Sequence, residues 1–345
     1  PVAVPGITNA SLIATEGNGN CVIQTNGNIK CWGPPGGYRA NTSGLDSVVP
    51  FTIPGVANVN TSLSVHTLST IDTGNCALRN DGTVICWGRR SSEGELGYPD
   101  NQGYATTPNV VPGVSGVLEV AGGRATTCML LATGGIKCMG RGGVGQRGDN
   151  DTMYTLNIVD VIGISTATQL SGGADHFCAR LSAGTARCWG YNSFGQLGDG
   201  SVVNRGIAVD VAGLSGISAV DAAKGAFSCA IMNDTTVRCW GRNDKGQLGD
   251  GTQTDRPTPV PVKALTGAVR LALAELHACA LLSDGSMRCW GNNYDGELGD
   301  GTSGNISAVP VSTRWYSNVA SVATGAGNGW SCLTSTDGSG RCWGY

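Results

Sequence analysis

"CALRNDGTVICWG" (76–88) sets two cysteines ten positions apart around Asn80-Asp81-Gly82 and follows them with Trp87-Gly88. A three-residue loop at 80–82, with Gly82 in the left-handed conformation, makes this a hairpin closed by a type I turn and bulge. Counting outward from the loop, Arg79 faces Thr83, Leu78 faces Val84, Ala77 faces Ile85 and Cys76 faces Cys86. The cysteines then fall on a non-hydrogen-bonded pair, where Cα atoms approach within about 4.5 Å, inside the range a disulfide accepts. The spacing predicts a hairpin stapled across its two strands.

The same spacing accounts for all fourteen cysteines: Cys21 with Cys31, Cys76 with Cys86, Cys128 with Cys138, Cys178 with Cys188, Cys229 with Cys239, Cys279 with Cys289, and Cys332 with Cys342. Zinc sites favour ligands two to four residues apart, often with histidine, and the chain has only three histidines in no such arrangement. Seven local disulfides imply an oxidising compartment, so the expected location is secreted, extracellular or cell-surface. Each bridge closes a short loop and should contribute roughly 2 to 3 kcal/mol. The loop glycine recurs at Gly27, Gly82, Gly134, Gly184, Gly285 and Gly338; Thr235 replaces it in the fifth copy, which predicts a distorted turn there.

Successive copies step by 50 to 55 residues, giving seven repeats, a period that means a solenoid or a propeller. Apolar runs are short and lie between Gly, Asn and Asp clusters, the pattern of strands, and no helical period is sustained. A further short strand follows each "CWG" loop, as in "PTPVPV" (257–262) and "SAVPV" (307–311). The seventh copy of that strand is missing after "RCWGY" (341–345), whereas "PVAVPG" (1–6) matches it. The N-terminal strand is therefore expected to complete the last sheet and close the ring, which removes exposed edges. These features predict an all-β, seven-bladed propeller over residues 1–345 as one domain. The opening residue, Pro1 rather than Met, predicts a processed product or a piece of a longer chain.

The best copies, "FCARLSAGTARCWGYNSFGQLGDGS" (177–201), "SCAIMNDTTVRCWGRNDKGQLGDGT" (228–252) and "ACALLSDGSMRCWGNNYDGELGDGT" (278–302), resemble the repeat of the regulator of chromosome condensation family. The resemblance spans the chain, is most specific in blades 4 to 6, and weakens at "CWGPPGGYRANTSG" (31–44) and at Met139, which replaces the tryptophan. It implies seven-bladed propellers of about 50 residues per blade, often closed by a terminal strand. The family's functions differ: a chromatin-bound nuclear exchange factor, a secreted bacterial inhibitor of beta-lactamases, and propeller domains of larger proteins. One fold hosting many functions leaves the activity to the site.

Composition narrows the classes. A net charge of −3 and no basic run longer than Arg89-Arg90 leave no stripe for nucleic acid. No apolar stretch is long enough to span a bilayer. No paired-carboxylate signature, nucleophile or metal motif stands out beside Asp175-His176, so the chain is expected to be no enzyme and to need no cofactor. "GVGQRG" (143–148) matches a dinucleotide fingerprint but lies in the register of "GQLGDG"; "RGD" (147–149) is repeat consensus apart from Arg147. Asp199, Asp250 and Asp300 suit tight turns as well as calcium. The repeated tryptophans, Trp32, Trp87, Trp189, Trp240, Trp290 and Trp343, are expected to pack against a neighbouring blade.

One position varies without explanation from the repeat. Two residues before the first cysteine stand Gly19, Gly74, Thr126, His176, Phe227, His277 and Trp330. The resemblance places this position near the central channel, where histidine has structural uses. An arc of His176, Phe227, His277 and Trp330, extended by Trp315 and Tyr316, would otherwise anchor a partner, since aromatics dominate interface hot spots. Six sequons, Asn9, Asn41, Asn60, Asn150, Asn233 and Asn305, offer N-glycosylation. The expected function is an extracellular binding or scaffold module for another protein or assembly. The alternatives are a secreted enzyme inhibitor, like the beta-lactamase inhibitor of this family, and a glycan-binding lectin.

Overall fold

A computed structural model describes residues 2–3, 6–7, 9–16, 19–33, 47–56, 58–60, 68–71, 74–89, 94–97, 104–153, 155, 157–314, 318–324, 329–337 and 339–344. These residues form seven four-stranded antiparallel sheets, the blades of an all-β propeller. Blade 5 shows the plan: inner strand Ile217–Ala222, second strand Phe227–Met232, third strand Val237–Gly241 and outer strand Arg256–Pro261. The second strand is buried almost throughout because blades flank both of its faces, so it reads as a continuous apolar run rather than an alternation. The last sheet joins the two ends of the chain. Val2–Ala3 lies antiparallel beside Gly340–Gly344, with Val2 opposite Cys342 and Ala3 opposite Arg341.

Every hairpin carries its staple. Cys21 is bonded to Cys31, Cys76 to Cys86, Cys128 to Cys138 and Cys178 to Cys188. Cys229 is bonded to Cys239, Cys279 to Cys289 and Cys332 to Cys342, so all seven pairs are those the spacing predicts. Their Cα–Cα separations are 4.0 to 4.1 Å, a few tenths below the generic value for such pairs. The register is the one counted from the loop: Leu78 opposite Val84, Cys76 opposite Cys86, and Arg79 N donating to Thr83 O at 2.9 Å. The turn at Thr235 is not distorted. Its N–H donates to Met232 O at 2.9 Å as Gly184 N does to Leu181 O, and Thr235 itself takes φ 67°. The threonine hydroxyl accepts from Gly267 N at 3.0 Å, an anchor that offsets part of the left-handed cost.

The core lies between blades. One cluster joins Phe227, Val237 and Leu248 of blade 5 to Ala278, Ala280 and Trp290 of blade 6. Four tryptophans reach back into the preceding blade: Trp189 Nε1 donates to Gln146 O, Trp240 to Gln196 O, Trp290 to Gln247 O and Trp343 to Glu297 O, at 2.8 to 3.0 Å. The "GQLG" glycine is the floor for that ring. A Cβ on Gly198 would meet Trp240 Nε1 at 2.7 Å. Outer strands are clasped in the same direction, with Asn150 N, Gly200 N and Gly251 N donating to Gly206 O, Pro257 O and Ala308 O of the next blade. Gly195 must be glycine for this clasp, since it has φ 80° and a Cβ there would sit 2.5 Å from Pro257 Cα.

Candidate functional site

Antiparallel order puts the turn from first to second strand and the loop from third to fourth strand at one end of every blade. Backbone bonds tie the two together: Arg141 N to Ala125 O, Tyr191 N to Asp175 O, Arg242 N to Ala226 O and Asn292 N to Leu276 O. The stapled hairpin turns and the blade-to-blade linkers occupy the other end, joined by Ser182 N to Thr166 O and Asn233 N to Gly216 O. The first end is the loop face.

Its loops are built from the "NxxGxLGDG" stretch. In blade 4, Asn192 is fully buried; its Nδ2 donates to Ser201 O, Val203 O and Asp199 Oδ1, and its Oδ1 accepts from Leu197 N at 2.9 Å. Asn243 repeats these contacts in blade 5. Asp199 and Asp250 act within their turns, accepting from the backbone and hydroxyl of Ser201 and Thr252 and pairing with Arg205 and Arg256 at 2.8 and 3.0 Å. The turn hydroxyl, the turn amide and the arginine hold both carboxyls below the usual range against the opposing effect of burial. Asp300 makes the same turn with Thr302. Among the described residues no group of three or more His, Cys, Asp or Glu side chains is placed to hold a metal.

Blade 3 departs from this scheme, and the departure disposes of two motifs. Gly142 stands where Asn192 stands in blade 4, and Arg147 where Leu197 stands. Arg147 is fully buried, its Nη2 3.0 Å from Asp149 Oδ2 and 3.2 Å from Asp151 O. Its guanidinium fills the volume an Asn side chain would need, since a Cβ on Gly142 would lie 2.7 Å from Arg147 Cζ. Two glycines of "GVGQRG" are explained by packing, since a Cβ on Gly145 would lie 2.7 Å from Arg205 O and one on Gly148 2.8 Å from Val161 Cγ1, and the arginine of "RGD" is not presented to solvent.

The arc of residues before the cysteines is corrected by burial. His176, Phe227 and His277 are 0 to 1% exposed. His176 Nε2 lies 3.0 Å from Ser228 Oγ, and His277 Nε2 2.8 Å from Ser331 Oγ, each hydroxyl belonging to the next blade. Ser228 donates its only proton to Gln196 O at 2.9 Å, so His176 is the donor through Nε2–H. Burial drives both imidazoles down, His176 to about 3, helped by Lys224, and His277 to about 4. Phe227 packs in the cluster that contains Ala278, which occupies the serine position in blade 6. Polar therefore meets polar and apolar meets apolar: His176 with Ser228, Phe227 with Ala278, His277 with Ser331. These side chains mate blades and offer no surface to a partner. Trp330 is half-buried against blade 1, in the cluster of Ile7 and Val22, and Trp315 and Tyr316 lie outside the described residues.

What the loop face does bring to its surface is a set of residues that no sequence motif marks, with Tyr294 exposed and Tyr191, Phe194, Arg242 and Lys245 half-buried. Phe194 and Tyr191 meet edge to face at 6.4 Å, Arg242 of blade 5 lies 5.4 Å over the Phe194 ring, and Lys245 lies 5.4 Å over Tyr294 of blade 6. The signal for them is positional: these residues occupy the variable positions of an otherwise fixed loop. Of the sequons, Asn150, Asn233 and Asn305 are exposed, Asn9 and Asn60 are half-buried, and Asn41 is outside the described residues. The Asn305 amide oxygen already accepts from Asn293 Nδ2 at 2.8 Å.

Fold and loops together define a seven-bladed β-propeller with one disulfide staple per blade. Within that class, residues 167–196, 218–247 and 275–297 match one family model of the regulator of chromosome condensation (RCC1) repeat, and residues 236–281 match a second. No curated protein matches it in sequence. Among solved structures it is similar to Prp20p from Saccharomyces cerevisiae, a protein described with its binding to Gsp1p and histones, at 22% identity and TM-score 0.77, covering 96% of this chain and 81% of that one. Human WBSCR16 is similar at 19% identity and TM-score 0.73, covering 90% and 83%. The ectodomain of the Arabidopsis thaliana receptor kinase ACR4 is similar at 18% and 0.53, covering 96% and 97%. At these identities the shared property is the fold.

Proposed function

We propose that this chain is a non-catalytic binding and scaffold module that works outside the cell and engages another extracellular protein. The observation that carries the reading is the set of seven bonded, largely buried cysteine pairs with no free cysteine among the described residues. A staple in every blade suits a protein that must hold its shape without a reducing cytosol or chaperones around it. The titratable groups support binding over chemistry. The buried histidines are consumed by inter-blade bonds, and the turn aspartates by their own loops. No helix among the described residues is long and apolar enough to cross a membrane.

Two measurements test this. Unreduced, denatured protein from the natural source should show no thiol reactive to a maleimide probe; thiols in more than a trace would remove the basis for an oxidising location. Cross-linking of the same unreduced material, read by mass spectrometry, should join this chain to a second protein. A chain that cross-links to nothing and binds on a glycan array would replace the protein partner with a soluble ligand.

A further inference from the structure

The geometry points to the ridge Tyr191–Phe194–Arg242–Lys245–Tyr294, on the loop face of blades 4 to 6, as the docking surface of this module, and to a mixed-charge polypeptide as its occupant. The inference rests on the binding-module reading above and assigns that reading its surface.

Three observations carry it. First, the ridge is set on loops that are braced by their own buried amides. Phe194 follows two residues after buried Asn192, and Lys245 two after buried Asn243, so the backbones that carry these half-buried groups are fixed from beneath by the loop bonds already described. A side chain on such a base loses little freedom on binding, which is what makes a hot spot. Second, two of the three aromatics are paired across a blade boundary with a cation, Phe194 with Arg242 and Tyr294 with Lys245. Tyrosine, phenylalanine and arginine presented together are the residue types that interface cores favour. Exposed apolar side chains continue the surface on the same face, with Tyr294 at 54%, Val202 at 59%, Val203 at 58% and Met153 at 72% exposure.

Third, charges of both signs stand side by side on this face and so select the occupant. Blade 3 carries Arg124 and Arg141 with Asp151, blade 4 Asp175, blade 5 Lys224, Arg242 and Lys245 with Asp244 and Asp255, and blade 6 Glu275 and Asp295. Arg242 pairs with Asp244 at 2.8 Å, and Arg124 with Asp175 at 3.4 Å. A polyanion such as nucleic acid or an anionic membrane surface would meet carboxylates on every one of these blades. A polypeptide of mixed charge, with an apolar residue against Phe194 or Tyr294, can set opposite charges against both signs.

The natural partner need not be identified for the test. A phage-displayed library of linear dodecapeptides is selected on the immobilised, unreduced protein. The enriched peptides are then synthesised and measured by interferometry on the wild type and on Phe194→Ala, Tyr294→Ala, Lys245→Glu, Lys245→Arg and Ile162→Thr. Ile162 is exposed just after the outer strand of blade 3, outside the ridge, and serves as the control. The expected result is a mixed-charge, aromatic-containing consensus that binds about tenfold or more weakly to the two alanine variants and to Lys245→Glu, is restored by Lys245→Arg, and is unchanged by Ile162→Thr. Thermal midpoints of all variants, expected within a few degrees of the wild type for sites at the surface, separate lost contact from lost fold. Peptides that bind the ridge variants as well as the wild type would overturn the ridge while leaving the binding-module reading intact. Failure to enrich any peptide would also overturn it. An all-acidic consensus whose binding disappears in high salt would replace the polypeptide with a polyanion.

Discussion

Blades 3 and 4 solve the same loop in two ways. Blade 4 braces it from the third strand's exit, where the buried Asn192 amide bonds backward and forward along the loop and Leu197 fills the core beside Trp240. Blade 3 removes the amide, leaving Gly142, and sends a guanidinium into the same space from the leucine position. Two of the bonds transfer, while Arg147 Nε and Nη1 stay buried without a partner. Arg147 reaches Asp149 as Asn192 reaches Asp199, and takes a loop carbonyl, Asp151 O, as Asn192 takes Ser201 O. The outer strands reflect the exchange: Arg205 and Arg256 serve the turn aspartates of blades 4 and 5, whereas in blade 3 Arg147 serves Asp149 from within the loop. Two residues five apart behave as one unit, so either half of the unit is useless alone.

The largest expected effect comes from breaking that unit. Gly142→Asn forces a side chain into the guanidinium and Arg147→Leu strips the half-buried Asp149 of its partner, so each single change should cost about 2 to 3 kcal/mol. The double variant recreates the pair found in blade 4 and should return to within about 1 kcal/mol of the wild type. Urea midpoints on the four proteins measure the coupling. Additive losses would mean that the two loops are unrelated solutions and that the correspondence drawn between them is wrong.

A second exchange concerns the boundary between blades. His176 is matched to Ser228 and Phe227 to Ala278, so Phe227→His should leave an unpartnered imidazole in the blade 5–6 boundary and cost about 1 to 3 kcal/mol. Adding Ala278→Ser supplies the hydroxyl and should recover most of the loss, with Ser228→Ala in the native His176 pair as the reverse case. If Ala278→Ser gives no recovery, the pairing is a coincidence of packing.

These boundaries explain what is legible in the sequence. Hairpin register, staple, strand identity and repeat number all depend on residues within about twenty positions of one another, and cysteine spacing with a turn glycine encodes them directly. The identity of Phe227 depends on Ala278, 51 residues later, and single-blade reasoning treats such a residue as an anomaly and therefore as a candidate site. Comparing each blade with the next, rather than with a consensus, exposes the His–Ser and Phe–Ala matches. The ridge escapes a motif reading for the opposite reason: Phe194, Lys245 and Tyr294 sit in a loop whose fixed residues draw attention, while the variable positions are the ones that reach the surface. Thr235 shows a smaller limit, since a hydroxyl bond to Gly267 from outside the hairpin decides whether a non-glycine residue can hold the turn.

The last expected effect is a pH dependence, and it again contrasts blades 3 and 4. On the inner strands, Glu119 Oε2 accepts from Leu170 N of the next blade at 2.6 Å and Gln169 Oε1 accepts from Val220 N at 2.9 Å, the same cap made by an acid and by an amide. Burial pushes the Glu119 carboxyl up to about 7, with repulsion from Asp221 adding to it and the Leu170 amide and Arg180 opposing it. Burial pushes Asp221 up to about 7 as well, against the attraction of Arg270 and a bond from Ser171. A carboxyl whose folded value exceeds its unfolded value stabilises the fold fully below the unfolded value, and that contribution is lost as pH rises towards 7. The two histidines run the other way, their low folded values removing stability as pH falls below about 6.5. Glu119→Gln makes the blade 3 cap identical in kind to that of blade 4 and deletes only the carboxylate limb. Relative to the wild type the variant should gain about 1 to 3 kcal/mol between pH 5 and pH 8, with the histidine limb below pH 6 unchanged. Denaturant titrations at pH 5, 6.5 and 8 decide it: a constant offset across that range would mean that Glu119 is already ionised and that the two caps differ in shape rather than in charge.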